Sequence, residues 1–160
     1  DAVVAAMLIC EMAAYYKARG LNLYRAMRAL YEKYGRYINT VLSFEFKGES
    51  GMKTMLRMMD DLRTAPPTQI GGLPVQAVSD YLAGTTTDTQ TFVATAIALP
   101  KSNVLAYKLP DGNGLIIRPS GTEPKIKVYI TACAPTDAQA ESLAARMKTD
   151  AARLLGLGGE

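Results

Sequence analysis

The chain has 160 residues, of which 49% are apolar and 21% charged, with a formal charge of +3. That length and balance describe one globular domain with at most part of another, large enough to bury a real core. The mild, scattered charge argues against a nucleic-acid footprint, and the absence of histidine argues against a zinc site, a His-based triad or a His general base.

The two cysteines, Cys10 and Cys133, lie far apart without metal-ligand spacing, so two buried, reduced thiols in a cytoplasmic protein are expected. The apolar opening "AVVAAMLICEMAAYY" is interrupted by Glu11 and falls short of the ~20 residues of a membrane span. Neither a signal peptide nor a membrane partner is therefore expected. With no initiator Met and helical patterning from the second residue, the chain is expected to begin inside a larger protein.

In chain order, the pattern predicts a first helix from Asp1 to about Arg19, capped by Asp1 and closed near Gly20. It is apolar on nearly every side, so it should be buried or packed on something outside this chain. A second helix is predicted over 23–34, capped by Asn22, striped by Leu23, Met27 and Leu30 or Tyr31, and closed by Gly35. The period then changes to two. Ile38, Thr40, Leu42, Phe44 and Phe46 share one parity, which predicts a strand over 36–46. A helix follows over about 50–63, with Met52, Met55, Leu56, Met59 and Leu62 on one face. In "GESG" (48–51), Ser50 reads as its N-cap, with Gly48 and Gly51 allowing the turn.

"APPTQIGGLP" reads as a loop with at most a short extended piece, and 75–82 as a strand. "AGTTTDTQT" reads as a polar turn region, while 92–99 fits a short strand or a short helix equally. Strands over 103–109 and 114–118 form a hairpin through "PDGN", and another strand runs over about 125–132. Thr136 and Gln139 stand in capping-box spacing ahead of a last helix whose buried stripe is Ala140, Leu143, Ala144, Met147, Ala151 and Leu154. This order predicts an α+β, two-layer domain: a mainly antiparallel sheet covered on one face by helices and preceded by a helical segment.

The most distinctive stretch is "RPSGTEPK" (118–125), a turn between two strands that carries far more chemistry than a turn requires. Arg118 offers a planar fork of donors suited to two phosphate oxygens. Ser120 and Thr122 add hydroxyl donors, and Gly121 lets the backbone approach an anion, with successive N–H groups turned into one concavity. Pro119 and Pro124 restrict the loop before any ligand arrives. Period two puts Lys125, Lys127 and Tyr129 on one face and Ile126, Val128 and Ile130 on the other, so two ammonium groups flank the loop. Glu123 would repel a phosphate and is assigned to orienting Arg118 or a lysine. The competing interpretation is a polar β-turn with solvated charges; the spacing matches neither the P-loop nor the dinucleotide fingerprint.

"RPSGTEPKIKVY" (118–129) resembles the phosphate-binding loop in the C-terminal domain of the α-D-phosphohexomutases, of the bacterial phosphoglucomutase/phosphomannomutase type. "SNVLAYKLPDGNGLIIRPSGTEPK" resembles the same branch, and "DAVVAAMLICEMAAYYKARGLNLYRAMRALYEKYGRY" is similar to the helical junction between its third and fourth domains. The resemblance covers essentially the whole chain but only about the last third of such an enzyme. It implies that residues 1–35 end the preceding domain and its linker, and that residues 36–160 form the fourth domain.

The resemblance also implies a mechanism. A phosphoserine on the first domain transfers its phosphoryl group to a hexose phosphate, and glucose 1,6-bisphosphate forms as a bound intermediate and activator. The bisphosphate then reorients and returns its other phosphate to the serine. The second domain holds Mg2+, the third reads the sugar, and the fourth grips the phosphate that is not transferred. Carried onto this chain, Arg118, Ser120, Gly121 and Thr122 contact phosphate, with Lys125 and Lys127 in a second rank. The nucleophilic serine, the metal site and the sugar-reading loop have no counterparts here, so the implied partners are a sugar phosphate and three other domains of the same polypeptide.

Phosphomannomutase and phosphopentomutase stand as alternatives within the family. A free-standing nucleotide- or RNA-binding module is the alternative from another class; it would use Tyr129 and Tyr107 for stacking. A third alternative is a domain that only packs against its neighbours.

Overall fold

The computed structural model describes residues 1–46 and 50–157. Helices α1 (Ala2–Lys17) and α2 (Leu23–Tyr34) lead into strand β1 (Arg36–Glu45) and helix α3 (Ser50–Thr64). Six short strands follow: β2 (Gln69–Ile70), β3 (Leu73–Pro74), β4 (Ala77–Asp80), β5 (Thr85–Asp88), β6 (Ala94–Ala96) and β7 (Leu105–Lys108). A 3-10 turn at Pro110–Gly112 leads to β8 (Gly114–Pro119), β9 (Lys125–Ala134) and helix α4 (Asp137–Leu154).

The caps anticipated from sequence form. Asp1 accepts from the Val3 N–H at 2.9 Å, and Asn22 accepts from the Arg25 N–H at 2.9 Å. Thr136 accepts from the Gln139 N–H and donates its hydroxyl to the Gln139 side-chain oxygen, so it caps the helix with a side-chain pair in place of the full capping box. Gly35 ends α2 at φ +89°, where a Cβ would also meet the Ala134 carbonyl oxygen at 3.2 Å. Helix α3 includes Ser50 as its first residue, not as the cap expected of it; Gly48 and the residue before Ser50 lie outside the described residues.

Seven strands form one antiparallel sheet in the order β1-β9-β8-β7-β4-β5-β6, with β2 and β3 a separate small hairpin. The longest pairing is non-local: β1 runs beside β9 for its full length, from Arg36 opposite Ala134 to Glu45 opposite Lys125. Alternation decides what each face holds. Leu105, Tyr107, Leu115, Ile117, Ile126, Val128, Ile130 and Ala132 are buried under the helices. Met55, Met59 and Leu62 of α3, and Ala140, Leu143, Ala144, Met147 and Ala151 of α4, complete the core from above. The two-layer α+β architecture is therefore as expected, with helices on one face only.

Several details differ from expectation. Thr85–Asp88 is a strand rather than a turn, because Thr is β-branched and its hydroxyls pair across the sheet, with Ser79 and Thr86 oxygens 2.8 Å apart. Leu56 is 46% exposed; the buried line of α3 runs through Met55, Met59 and Leu62, with Met52 packed beside it. On α2 the buried residue is Ala26, while Met27 and Leu30 face outward. At the end of α4 it is Leu155, not Leu154, that is fully buried.

Helix α1 has no buried residue, and Val3, Met7 and Leu8 are among its most exposed side chains. Cys10 lies on it and is exposed, and Cys133 is half-buried, so the expected burial of both thiols is not observed. Helix α2, by contrast, is tied to the sheet domain: its Arg28 pairs with Asp137 at the start of α4, which Arg36 of β1 also approaches. Among the described residues, no helix is long and apolar enough to cross a membrane.

The Tyr107 hydroxyl is buried without a hydrogen-bond partner among the described residues, and burial raises its pKa. An unpaired buried hydroxyl opposes folding. Tyr107→Phe is therefore expected to raise stability by about 1 kcal/mol in urea unfolding. A loss of stability would mean that the hydroxyl has a partner.

Candidate functional site

The loop after β8 closes at one end of the sheet, over the core. Pro119 ends the strand buried and opposite Ile126, and it has no N–H for a ladder bond. The Ser120 N–H then donates to the Lys125 carbonyl at 2.8 Å, closing the neck of the loop. The Lys125 N–H donates to the Glu123 carbonyl, also at 2.8 Å. From the side, the Phe46 N–H donates to the Pro124 carbonyl at 2.8 Å, which extends the β1–β9 pairing past Glu45 and onto the loop. Behind Phe46, a Cβ on Gly51 would meet its carbonyl oxygen at 2.5 Å, so only glycine lets α3 begin this close to the strand end.

Within the loop, Ser120 Oγ accepts from the Thr122 N–H at 3.4 Å and the Glu123 N–H at 3.3 Å. These two amides are directed at the serine rather than outward, so the expected run of amides into one concavity is only partly present. The Ser120 hydroxyl hydrogen is left to donate elsewhere. Thr122 and Gly121 are exposed, and the Gly121 N–H has no partner among the described residues. A Cβ at Gly121 would have nothing within 4 Å, so nothing inside the chain requires glycine there.

The cations divide into two groups. Arg118 and Lys127 are directly opposite each other on β8 and β9, both exposed on the helix-free face. Neither has an ion-pair or hydrogen-bond partner among the described residues. Lys125 is different. Its Nζ lies 3.3 Å from Glu123 Oε2 and 3.5 Å from Glu45 Oε1, and its side chain is only 24% exposed. Hydrogen bonding and charge attraction, from Glu123 first and then Glu45, raise its pKa. Glu123 thus pairs with Lys125, one of the partners anticipated for it, and not with Arg118. Glu45 was not singled out in the sequence; only the β1–β9 register brings it here.

The groups around the loop are of the chemical types that bind oxyanions. They combine a bidentate cation, a neighbouring ammonium, two hydroxyls and an open peptide, on a loop pinned at its neck and along one side. Tyr107 is 1% exposed in the core and cannot stack on a base, which removes half of the aromatic pair a nucleotide-binding module would use. Among the described residues no three His, Cys, Asp or Glu side chains gather to hold a metal ion, so the donors present do not fit one.

Fold and loop together define a class: an antiparallel α+β domain bearing a pinned Ser-Gly-Thr turn flanked by cations at one end of its sheet. A family model described as the phosphoglucomutase/phosphomannomutase C-terminal domain matches residues 56–149, more than half of the chain and including the loop. The chain belongs to that family. It is 36% identical over 135 residues to a phosphoglucomutase of Staphylococcus aureus strain COL, covering 84% of this chain. With the phosphoglucomutase of strain MW2 it is 36% identical over 131 residues, or 82% of the chain. The chain spans only 24% of the length of each of these relatives. Among solved structures, the open form of the exocytosis-sensitive phosphoprotein pp63/parafusin, a phosphoglucomutase from Paramecium, shares the fold. The TM-score is 0.52 at 16% identity, covering 86% of this chain and 22% of that one.

Proposed function

We propose that this chain is the phosphate-gripping C-terminal part of a phosphoglucomutase, which interconverts glucose 1-phosphate and glucose 6-phosphate through glucose 1,6-bisphosphate. The observation that carries this reading is the loop at 118–125, inside the family match, with Arg118 and Lys127 on one face beside it and unpaired among the described residues. In this role Arg118 takes two oxygens of the phosphate that is not transferred, and Ser120 and Thr122 donate their hydroxyls. The Gly121 peptide approaches the anion across space that is open to it. Lys127 adds charge from the neighbouring strand. Holding the spectator phosphate fixes where the other end of the sugar lies, and positioning of that kind is much of the work in phosphoryl transfer.

The nucleophilic serine, the Mg2+ site and the sugar-reading loop belong, in this reading, to other domains of a cytoplasmic polypeptide. Residues 1–35 are assigned to the end of the preceding domain and its linker. The uncovered apolar surface of α1 supports that assignment for α1, whereas α2 buries Ala26 and is tied to the sheet domain through Arg28. Mutase turnover of glucose, mannose and ribose 1-phosphates by the full-length protein tests the reading. Preference for the glucose ester is expected, and preference for either of the others would make this a phosphomannomutase or phosphopentomutase domain. The purified 160-residue chain should turn over none of them. Turnover by the chain alone would overturn the domain assignment.

A further inference from the structure

Lys125 stands at the neck of the loop with its ammonium group between two carboxylates, yet its neighbours Arg118 and Lys127 have none among the described residues. The sequence alone does not separate Lys125 from Lys127, both of which flank the loop in a second rank behind Arg118. The register separates them, because Glu45 at the end of β1 stands directly opposite Lys125. The two glutamates, Lys125, Phe46 and Pro124 line a small hollow of about 250 Å³ beside the loop. Both glutamates are mostly exposed, at 74% for Glu45 and 63% for Glu123, so each ion pair is a weak surface contact that a stronger anion can displace.

We infer that Lys125 is an exchangeable latch on the phosphate grip, held by Glu45 and Glu123 when the loop is empty and transferred to the phosphate when it is filled. The inference rests on the phosphate reading of the loop given above. The Ser120 N–H bonds to the Lys125 carbonyl, so the lysine stem starts beside the hydroxyl that faces the anion. Four methylenes let the ammonium swing between the two positions without moving the strand. A phosphate dianion presents more charge than either carboxylate and so competes for the ammonium.

Glu45 acquires a specific part in this scheme as an internal competitor. It lowers the affinity of the grip by holding back one cation, and it takes that cation again as phosphate leaves. A mutase that must release and turn its bisphosphate benefits from a grip that is firm in position but moderate in affinity, since a tighter ground state slows the turn. Glu123 contributes through the same lysine, but it lies within the loop and also shapes the backbone through its N–H and carbonyl. Glu45 is therefore the cleaner residue to vary.

The test is a double-mutant cycle on the 160-residue chain, with inorganic phosphate as the probe in titration calorimetry at pH 8 and fixed ionic strength. Glu45→Gln is expected to tighten binding about two- to fivefold, the size of a surface ion pair. In a Lys125→Met background the same change should have less than about a third of that effect, because the cation it restrains is gone. Lys125→Gln gives an independent background in case Met disturbs the strand. A Glu45→Gln effect of equal size in both backgrounds would reduce Glu45 to a distant field, and weaker binding would make it a support for the loop. Either result overturns the latch. Arg118→Ala separates the two readings: if phosphate binding ignores that change, the grip itself is wrong. If binding responds to Arg118 but not to Glu45, only the latch fails.

Discussion

Arg118→Ala is expected to weaken binding of inorganic phosphate to this chain about ten- to a hundredfold, the scale of losing charged hydrogen bonds to a dianion. The guanidinium is exposed and unpaired among the described residues, so its removal leaves no buried carboxylate stranded and the thermal midpoint should hardly move. Arg118→Lys should recover part of the loss, because a point charge replaces a two-pronged fork. Calorimetry on the three proteins checks this. Equal affinity in wild type and Arg118→Ala would mean that phosphate, if it binds, binds elsewhere.

The largest effect on stability is expected at Ile126, which follows Lys125 on β9 and is fully buried opposite Pro119 and Phe44. Ile126→Ala removes core volume beneath the root of the loop and should cost about 2–5 kcal/mol, read as a lower midpoint in urea unfolding. The loop is held at its neck by backbone bonds that this change spares, so phosphate affinity should fall much less than for Arg118→Ala. A stability loss below about 0.5 kcal/mol would mean that the site collapses to fill the cavity or that Ile126 is not in the core. The contrast between the two variants separates the part of the chain that folds the loop from the part that would use it.

Much of this arrangement is legible in the sequence because it is local. Asp1, Asn22 and Thr136 cap helices with side chains that bond two or three residues away. The parity of β9, with Lys127 outward and Val128 inward, follows from period two alone. What escapes the sequence depends on distant partners. Thr85, Thr86 and Thr87 read as a turn because their polarity resembles a loop's, and only pairing with β4 and β6 makes them a strand. The occupied state of Lys125 depends on Glu45, which a strand register brings from far along the chain. Cys10 is exposed because α1, apolar as it is, has no sheet beneath it. Composition reports how much apolar surface a helix has, but not whether its covering lies in the same chain.

The loop's role reduces to which amides feel the anion. In a 15N–1H titration of the 160-residue chain with inorganic phosphate and then with glucose 1-phosphate, the largest shifts are expected at Ser120, Gly121, Thr122 and Lys125. They should follow one binding curve and disappear in Arg118→Ala. Shifts confined to other residues, with the loop amides unmoved at saturation, would contradict the phosphate grip.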